Sequence, residues 1–473
     1  MTGKVVVLGG GPCGLALSHD LARAGVSVAL IEADPALGGL AKSIRWGDSS
    51  CDLGPHKLFT LDESLLVRIR SLLPADQWLT HPKVSRIYLN GHYLHYPPTP
   101  GDLVRAFGWM RCVHCATDLF GARVRSIRSR NGEPASFEED ARARIGETLY
   151  RLLFLPVARK IWGEPSDLDA RLAKSRIQVP SLFDALRALM KREKKSRWQA
   201  NEYFYPKRGL NALWEAMSHE ISRLGGEIST GDPVAALELG AEGGVTGVRT
   251  AGGRRWALDP SRDWVVSTVP LSRLAAMIPT VPEEVRAAIK RLRLNDLLLV
   301  LLKLQEDPLG ENSWIFVPDA TVIFHRVSGQ RKFDPGMVEV GVHLVCCEVM
   351  SHAGRETQRM TDGQIIDRCV DDLVRMGRLS GPGAVIDRRL VRLNSSYPVL
   401  SRGYLETLQS VLKHFDGYRN LRTVGRQGAY NYIGTLDAID TGFGLARWMV
   451  EGGAAREDWD SERRRTSFYP VLD

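Results

Sequence analysis

The 473-residue sequence predicts an α/β chain, with a parallel Rossmann-like unit first, a helical insertion next, and a mostly antiparallel sheet beyond it. Three observations predict this. The first 45 residues read strand, glycine turn, helix, strand in close succession. From Pro100 to Ala200 the apolar spacing is helical and the stretch is rich in arginine, with no run long enough for a sheet strand. Between residues 285 and 400 several β-branched apolar runs follow one another.

The opening unit is the most informative. Lys4 to Leu8 is a short apolar run leading into Gly9-Gly10-Gly11-Pro12-Cys13-Gly14, which fits G-x-G-x-x-G. Leu15 to Ala24 has helical periodicity, Gly25 ends it, and Val26 to Ile31 is a second strand closing on Glu32. In such a unit Gly9 allows the tight turn, Gly11 lets backbone N–H groups reach a pyrophosphate, and Gly14 lets helix and strand pack closely. The helix start adds partial positive charge toward phosphate. Glu32 can accept hydrogen bonds from a ribose diol, an arrangement that a 2′-phosphate disfavours. The reading is a dinucleotide-binding βαβ unit.

After Glu32 come Ala33 to Leu37 and then Gly38-Gly39-Leu40-Ala41-Lys42-Ser43. This E-x5-G-G extension resembles the GR2-type flavoprotein group that holds amine oxidases, phytoene desaturases, protoporphyrinogen oxidases and UDP-galactopyranose mutases. The resemblance implies FAD in preference to NAD, with Gly9, Gly11, Gly14, Glu32, Gly38, Gly39 and Lys42 at the cofactor. It also implies that FAD acts in reduced form, with NAD(P)H as an external reductant.

With 44% hydrophobic residues the chain can bury large cores. The expected division is an FAD-binding domain in three pieces (1–99, 201–284 and 401–473), a helical substrate-side domain (100–200) and an antiparallel-sheet substrate domain (285–400). Lysine and arginine total 63 against 55 acids, a surplus of 8 that suits anionic ligands but is too small and dispersed for nucleic acid. The first strand begins by residue 4, leaving no room for a signal peptide, so the expected location is cytoplasmic. The longest aliphatic run, Leu297 to Leu302, falls far short of the roughly 20 residues a membrane span needs. Peripheral membrane contact and a homodimer both remain compatible with the sequence. Seven cysteines, an odd number, point to reduced thiols. Cys112-Val113-His114-Cys115 has metal-like spacing, but a structural zinc site needs two more ligands, which Cys346-Cys347 supplies poorly, so no metal is expected.

Further along, Cys51-Asp52-Leu53-Gly54-Pro55-His56-Lys57-Leu58-Phe59 contains a tight turn that should bring backbone and His56 near a bound ring. It resembles the second flavin-contact segment of the same families, which places Gly54 and His56 at the cofactor. Val84 to Tyr88, Asn90-Gly91 and His92 to Tyr96 predict a hairpin with a type I′ turn, ended by Pro97-Pro98. Arg123 to Arg130 and Lys191 to Arg197 read most simply as solvated faces, with membrane-surface or phosphate steering as the sharper alternative. Between them lie Lys160-Ile161-Trp162-Gly163-Glu164-Pro165 and Arg176-Ile177-Gln178-Val179-Pro180. Trp162 can stack on a base or sugar, and Arg176 can hold phosphate oxygens in a fork. The pair resembles the mutase segment that carries an active-site Trp and a loop Arg.

Tyr203-Phe204-Tyr205-Pro206-Lys207-Arg208-Gly209-Leu210 precedes an amphipathic helix, Asn211 to Leu224, then Gly225-Gly226 and a strand from Glu227. This region resembles the amine-oxidase side of the group, which places Val234 at the adenosine end of FAD and Tyr203 at the substrate. Gly247 to Leu258 reads as a β-meander. Asp263 to Pro270 reads as a buried strand of the FAD domain carrying Thr268. Leu292 to Leu304, Trp314 to Val317, Val322 to Val327 and Val338 to Val345 predict the antiparallel sheet, and Phe324-His325-Arg326-Val327 resembles the mutase strand that aims an Arg at phosphates. Last, Leu421 to Val424 is a strand entering Gly425-Arg426-Gln427-Gly428-Ala429-Tyr430-Asn431-Tyr432, with a helix after Asp437. The match to the mutase GR-x-G-x-Y-x-Y segment implies that Arg426, Tyr430 and Tyr432 face the substrate and that Gly425, Arg426 and Asp437 face FAD. Gly434 stands where bacterial mutases carry an acid.

What the resemblance implies is a flavoenzyme that rearranges the pyranose or furanose ring of a nucleotide-diphosphate sugar through reduced flavin N5, with no net redox change. His56, Arg176, Arg326 and Arg426 form the catalytic set, and Trp162, Tyr203, Tyr430 and Tyr432 complete the substrate set. The alternative is an FAD oxidoreductase removing hydride from a small molecule, which the Tyr205-Pro206-Lys207 region and the missing acid favour. A flavin-binding scaffold without catalysis is a third reading.

Overall fold

Chain order runs through two sheets before it closes the first. The computed structural model describes residues 3–60, 62–128, 134–176, 202–451, 456–467 and 469. Lys4–Leu8 is the centre of a five-stranded parallel sheet, flanked by Ser27–Glu32 and Glu227–Thr230 on one side and by Trp264–Ser267 and Leu421–Thr423 on the other. Strands from three distant parts of the chain thus share one sheet. All are short, and the three central ones are mostly apolar, as strands covered on both faces must be.

Two helices cover one face, Pro12–Arg23 and Thr435–Val450. They meet closely because Gly442 has no side chain: a Cβ there would stand 2.4 Å from the Cys13 carbonyl oxygen. A three-stranded meander, Val234–Leu239, Val245–Thr250 and Arg255–Ala257, flanks the other face.

The second sheet has seven strands in the order Val385–Pro398, Leu294–Leu304, His343–Ser351, Arg326–Gly329, Trp314–Phe316, Ser85–Leu89 and His92–His95. Every pair is antiparallel except Trp314–Phe316 with Ser85–Leu89. The hairpin around Asn90 and Gly91, grouped above with residues 1–99, is therefore hydrogen-bonded into this sheet. Both turn residues have positive φ, 51° and 79°, as a type I′ turn requires.

Two strand boundaries depart from the sequence reading. Val322 to His325 is not paired as a strand, because Asp319 accepts from Thr321 N and Oγ1 in a turn and Asp372 takes the Ile323 N–H at 2.6 Å. The strand begins at Arg326 instead. Likewise Val338 to Val342 is turn, with Gly341 at φ 79°, and the strand runs from His343 to Ser351.

Helices occupy the stretch from Pro100 onward: Pro100–Phe107, Trp109–Arg128, Phe137–Ile145, Leu155–Ile161 and Ala170–Arg176. Thr99 and Asp102 form a reciprocal capping box at the first of them. The second charge run, Lys191 to Arg197, lies outside the described residues. So do the side chains of the first, Arg123 to Arg130, and of Arg176. Among the described residues no helix is long and apolar enough to cross a membrane. All seven cysteines are free thiols; Cys112 and Cys115 lie on helix Trp109–Arg128, and among the described residues no three His, Cys, Asp or Glu side chains are grouped to hold a metal.

Candidate active site

One cavity of about 1110 Å³ runs from the C-terminal edge of the parallel sheet, past the second sheet, to the helical region. Its inner wall is mostly backbone. Gly9 sits at φ 105°, where its own side chain would strike Thr268 Oγ1 at 2.4 Å, and Thr268 in turn donates to the Leu8 carbonyl at 3.0 Å. Gly14 is packed harder still: a Cβ would lie 2.0 Å from the Gly9 carbonyl oxygen. At Gly11 the nearest atom to such a Cβ is Gly39 Cα at 3.9 Å, so the space in front of the helix start is open to the cavity. The first N–H groups of Pro12–Arg23 have no partner within the helix and face that space.

Glu32 lines the same end and is held by two backbone donors, Gly10 N at 2.6 Å and Asp34 N at 2.8 Å. Each carboxylate oxygen keeps a second lone pair for a diol. Val234, Thr268 and Gly39, which packs against Gly11, complete this end, and Gly54, His56 and Asp437 line the middle. A glycine cradle, an open helix N-terminus and an acid at the second strand's end fit a dinucleotide.

Four residues expected at the cofactor stand behind the wall. Gly14 and Gly425 allow close packing, the latter at φ 83° with Cys13 as neighbour. Gly38, at φ 102°, makes room for the Trp214 ring, whose Nε1 donates to the Ala41 carbonyl. Lys42 is engaged with Asp34 at 2.5 Å. None of these four lines the cavity, so their part is to shape the turn.

The middle of the cavity is charged. Arg326 forks onto Glu348 across neighbouring strands, Nε to Oε1 at 2.5 Å and Nη2 to Oε2 at 2.8 Å. Glu348 is only 1% exposed. Burial raises its carboxyl pKa, but the Arg326 guanidinium outweighs burial and the net position is below the usual range. Arg426 lies between two rings, 5.0 Å from each of Tyr397 and Tyr432, and donates to the Ser396 and Ile433 carbonyls.

His56 bridges the turn to helix Thr435–Val450, with Nε2 3.3 Å from the Leu53 carbonyl and Nδ1 3.3 Å from Thr435 Oγ1. Burial pushes its pKa down to about 4, opposed by Glu348 and helped by Arg326, and His325 is lowered to about 4 by the same causes. Both are neutral at pH 7. Asp437 caps the helix by accepting from Gly434 N at 2.9 Å, and burial raises its pKa to about 6.

Trp162 lines the cavity at the end of Leu155–Ile161, beside Phe137. Two expected substrate residues stand elsewhere, and these are corrections. Tyr203 is 1% exposed in a core with Trp314 and Phe333, its hydroxyl bonded to Ser313 Oγ. Tyr430 is 3% exposed, its hydroxyl bonded to the Arg293 and Val399 carbonyls. Alternation explains the first, since Tyr203 shares one buried strand face with Tyr205; Tyr430 lies outside any strand at φ 50°, and Tyr432, two residues on, carries the cavity-lining ring.

Several lining residues escaped the sequence reading: Glu348, Lys57, His325, Tyr397 and Lys160. A lone acid inside the apolar run Val345 to Met350 was a readable signal for Glu348. Lys160 had none. Its Nζ is buried and donates to the carbonyls of Val317, Asp319 and Phe324, tying the helical region to the second sheet.

Known proteins settle what the cradle holds. A profile for flavin-containing amine oxidoreductases matches residues 12–442. The chain belongs to that family. FAD is its cofactor and it is an FAD-dependent enzyme. A search of curated proteins finds no match. Among solved structures, a reduced UDP-galactopyranose mutase is similar at a TM-score of 0.82 with 18% identity, covering 98% of this chain and 97% of that one. A candidate protoporphyrinogen oxidase from Exiguobacterium is similar at 0.73 and 18%, covering 95% and 99%. A putrescine oxidase bound to putrescine is similar at 0.65 and 15%, covering 95% and 99%. These likenesses establish the fold of the amine oxidoreductase flavoenzyme.

Proposed function

We propose that this flavoenzyme rearranges the ring of a diphosphate-activated sugar, the nucleotide-sugar class that UDP-galactopyranose mutase acts on. Arg326 and Arg426 reach the same stretch of cavity from different parts of the chain, and that observation carries the reading. With Lys57 they outnumber Glu348 and Asp437, leaving the middle of the cavity cationic. A departing diphosphate needs such neutralisation, and arginine supplies it as a permanently charged planar fork.

Reduced FAD supplies the electron-rich ring that a rearrangement without net redox change requires. The protein's own groups have simpler tasks. Arg426 is held rigid by Tyr397, Tyr432 and two carbonyls, so little reorganisation is needed when charge develops. Glu348 fixes the Arg326 fork. His56, neutral at pH 7, offers or accepts one hydrogen bond at the Thr435 side. Trp162 gives the sugar an aromatic face.

Enzyme reduced anaerobically and mixed with UDP-, GDP- and dTDP-hexoses should interconvert ring forms while consuming no reductant in proportion to product. Failure across the panel, together with substrate-dependent bleaching of oxidised flavin by amines, porphyrinogens or sugars, would favour hydride removal instead. One observation favours that second reading: beyond Trp162 the cavity is apolar.

A further inference from the structure

Past the arginines the cavity changes character. Its outer half is lined by Ile87, Tyr96, Leu153, Phe154, Val157 and Phe316, a surface with little to pair with a nucleobase or a sugar hydroxyl. Tyr96 is 36% exposed and marks the mouth, and Pro98 lines the cavity just before helix Pro100–Phe107 begins.

The inner side of the helix pair Pro100–Phe107 and Trp109–Arg128 packs behind the walls of this half without itself lining the cavity. Leu103, Phe107 and Cys112 pack with Ile87, Leu153 and Phe316. The outer side also carries large apolar side chains. Trp109 is 68% exposed, Met110 61%, Phe120 72%, with Val104 and Val113 also open. Five large apolar side chains within two adjoining helices are more than the scattered singles of an ordinary surface. The charge around them is positive. Arg105 and Arg111 are exposed, and Lys83 stands over the Tyr96 ring at the mouth. Asp102, buried in the cap, pairs with Arg105 at 3.4 Å, and Asp118 accepts from Thr148, so among the described residues Arg111 is the cation of this face without a carboxylate partner. An exposed apolar stripe with basic flanks is the pattern of a helix that lies in the interface of an anionic bilayer.

We propose that helices Pro100–Phe107 and Trp109–Arg128 rest on an anionic lipid surface and that the outer half of the cavity takes a hydrocarbon chain drawn from it. The substrate is then lipid-borne. This holds whether the reaction is rearrangement or hydride removal. Under the rearrangement proposed above, the nucleotide diphosphate stays at Arg326 and Arg426 and the hydrocarbon is borne on the sugar side, beyond Trp162.

The test uses the FAD-loaded full chain in two measurements that need no turnover. Sedimentation with vesicles of phosphatidylglycerol and phosphatidylcholine should pull down the wild type, while phosphatidylcholine alone should pull down much less. Trp109→Ser with Phe120→Ser, both at exposed positions, should cut that binding at least tenfold with flavin content unchanged. A fluorescent fatty-acyl probe should bind the wild type in solution, and Val157→Glu should abolish probe binding while vesicle binding survives. The proposal is overturned if the wild type ignores anionic vesicles or if the double variant binds them as well as wild type. It is equally overturned if light scattering shows a dimer that the double variant dissociates, since a second copy would then cover the face. None of these outcomes bears on nucleotide-sugar turnover, so this inference and the proposed reaction can fail separately.

Discussion

At the inner end of the cavity the walls are main chain: glycines at Gly9, Gly11 and Gly39, helix-start N–H groups, and one acid held by two backbone donors. At the outer end they are side chains from helices and a hairpin. The inner end has little freedom: a Cβ on Gly9 would stand 2.4 Å from Thr268 Oγ1 and one on Gly39 3.0 Å from the Gly11 Cα, while the open space at Gly11 is the cradle itself. Apolar side chains at the outer end can be exchanged for others of similar volume at a cost of about 1.5 kcal/mol or less. The contrast explains how one family keeps its cofactor while its substrates differ: the cofactor is gripped by geometry that cannot vary, and the substrate by surface that can.

The sharpest way to break this comparison is a single methyl group. Gly14→Ala places a Cβ 2.0 Å from the Gly9 carbonyl, backbone against backbone, so helix and strand must part. The purified variant should be colourless or unfolded, judged by visible flavin absorbance. Leu153→Met, at the outer end, should keep its full flavin content. Equal flavin content in the two variants would remove the distinction.

Next in size is Arg426→Ala. Loss of one preorganised charge facing a developing anion costs about 10²–10³ in rate. Flavin content should stay near wild type, because the cradle is elsewhere. A variant that loses flavin along with activity would move Arg426 from substrate to cofactor.

The inner end was legible in sequence because its physics is local. Gly9, Gly11, Gly14 and Glu32 stand at fixed offsets within one βαβ unit, and the parallel sheet follows from it. Arg326 was legible as a residue but not as half of a pair, since Glu348 reaches it only through strand register. Tyr203 and Tyr430 were misread for a related reason: an aromatic beside a motif says nothing of which strand or turn face it takes, and both hydroxyls found backbone or serine partners in the core. The seven-stranded sheet was foreseen as antiparallel, yet its edges shifted where side chains of Asp319 and Asp372 captured backbone N–H groups that strand pairing would have used.

Charge in the middle of the cavity gives the third prediction. Glu348→Gln breaks the fork and leaves Arg326 without its counter-ion, a change that costs about 3 kcal/mol for a buried pair. A fall in Tm of several degrees should appear at pH 7. Acid should narrow the gap, because Glu348 sits below the usual carboxylate range and its contribution disappears as pH falls through its folded pKa. The histidines work in the same direction, because their folded pKa values are also depressed. Unfolded His56 and His325 take up protons below about 6.5, while the folded ones stay neutral to about 4, so wild-type stability should decline as pH drops between those values. Asp52 and Asp437, raised to about 6 by burial, are protonated first in the folded state and work against that decline below pH 6. Replacing His56 by Gln should therefore improve Tm relative to wild type as pH falls from 7.5 to 5. A difference independent of pH would show that His56 does not titrate differently on unfolding.

The smallest effect separates core from cavity. Tyr203→Phe removes one hydrogen bond, Tyr203 hydroxyl to Ser313 Oγ at 3.1 Å, from a packed cluster with Trp314 and Phe333, and the Phe ring fills the same space. Stability should fall by about 1 kcal/mol. KM and kcat should not move, since the residue faces away from the cavity. Tyr432→Phe is the paired measurement: its ring lines the cavity and lies against Arg426. If Tyr203→Phe raises KM while Tyr432→Phe leaves it unchanged, the assignment of the two aromatics to core and cavity is reversed, and with it the path by which substrate meets Arg426.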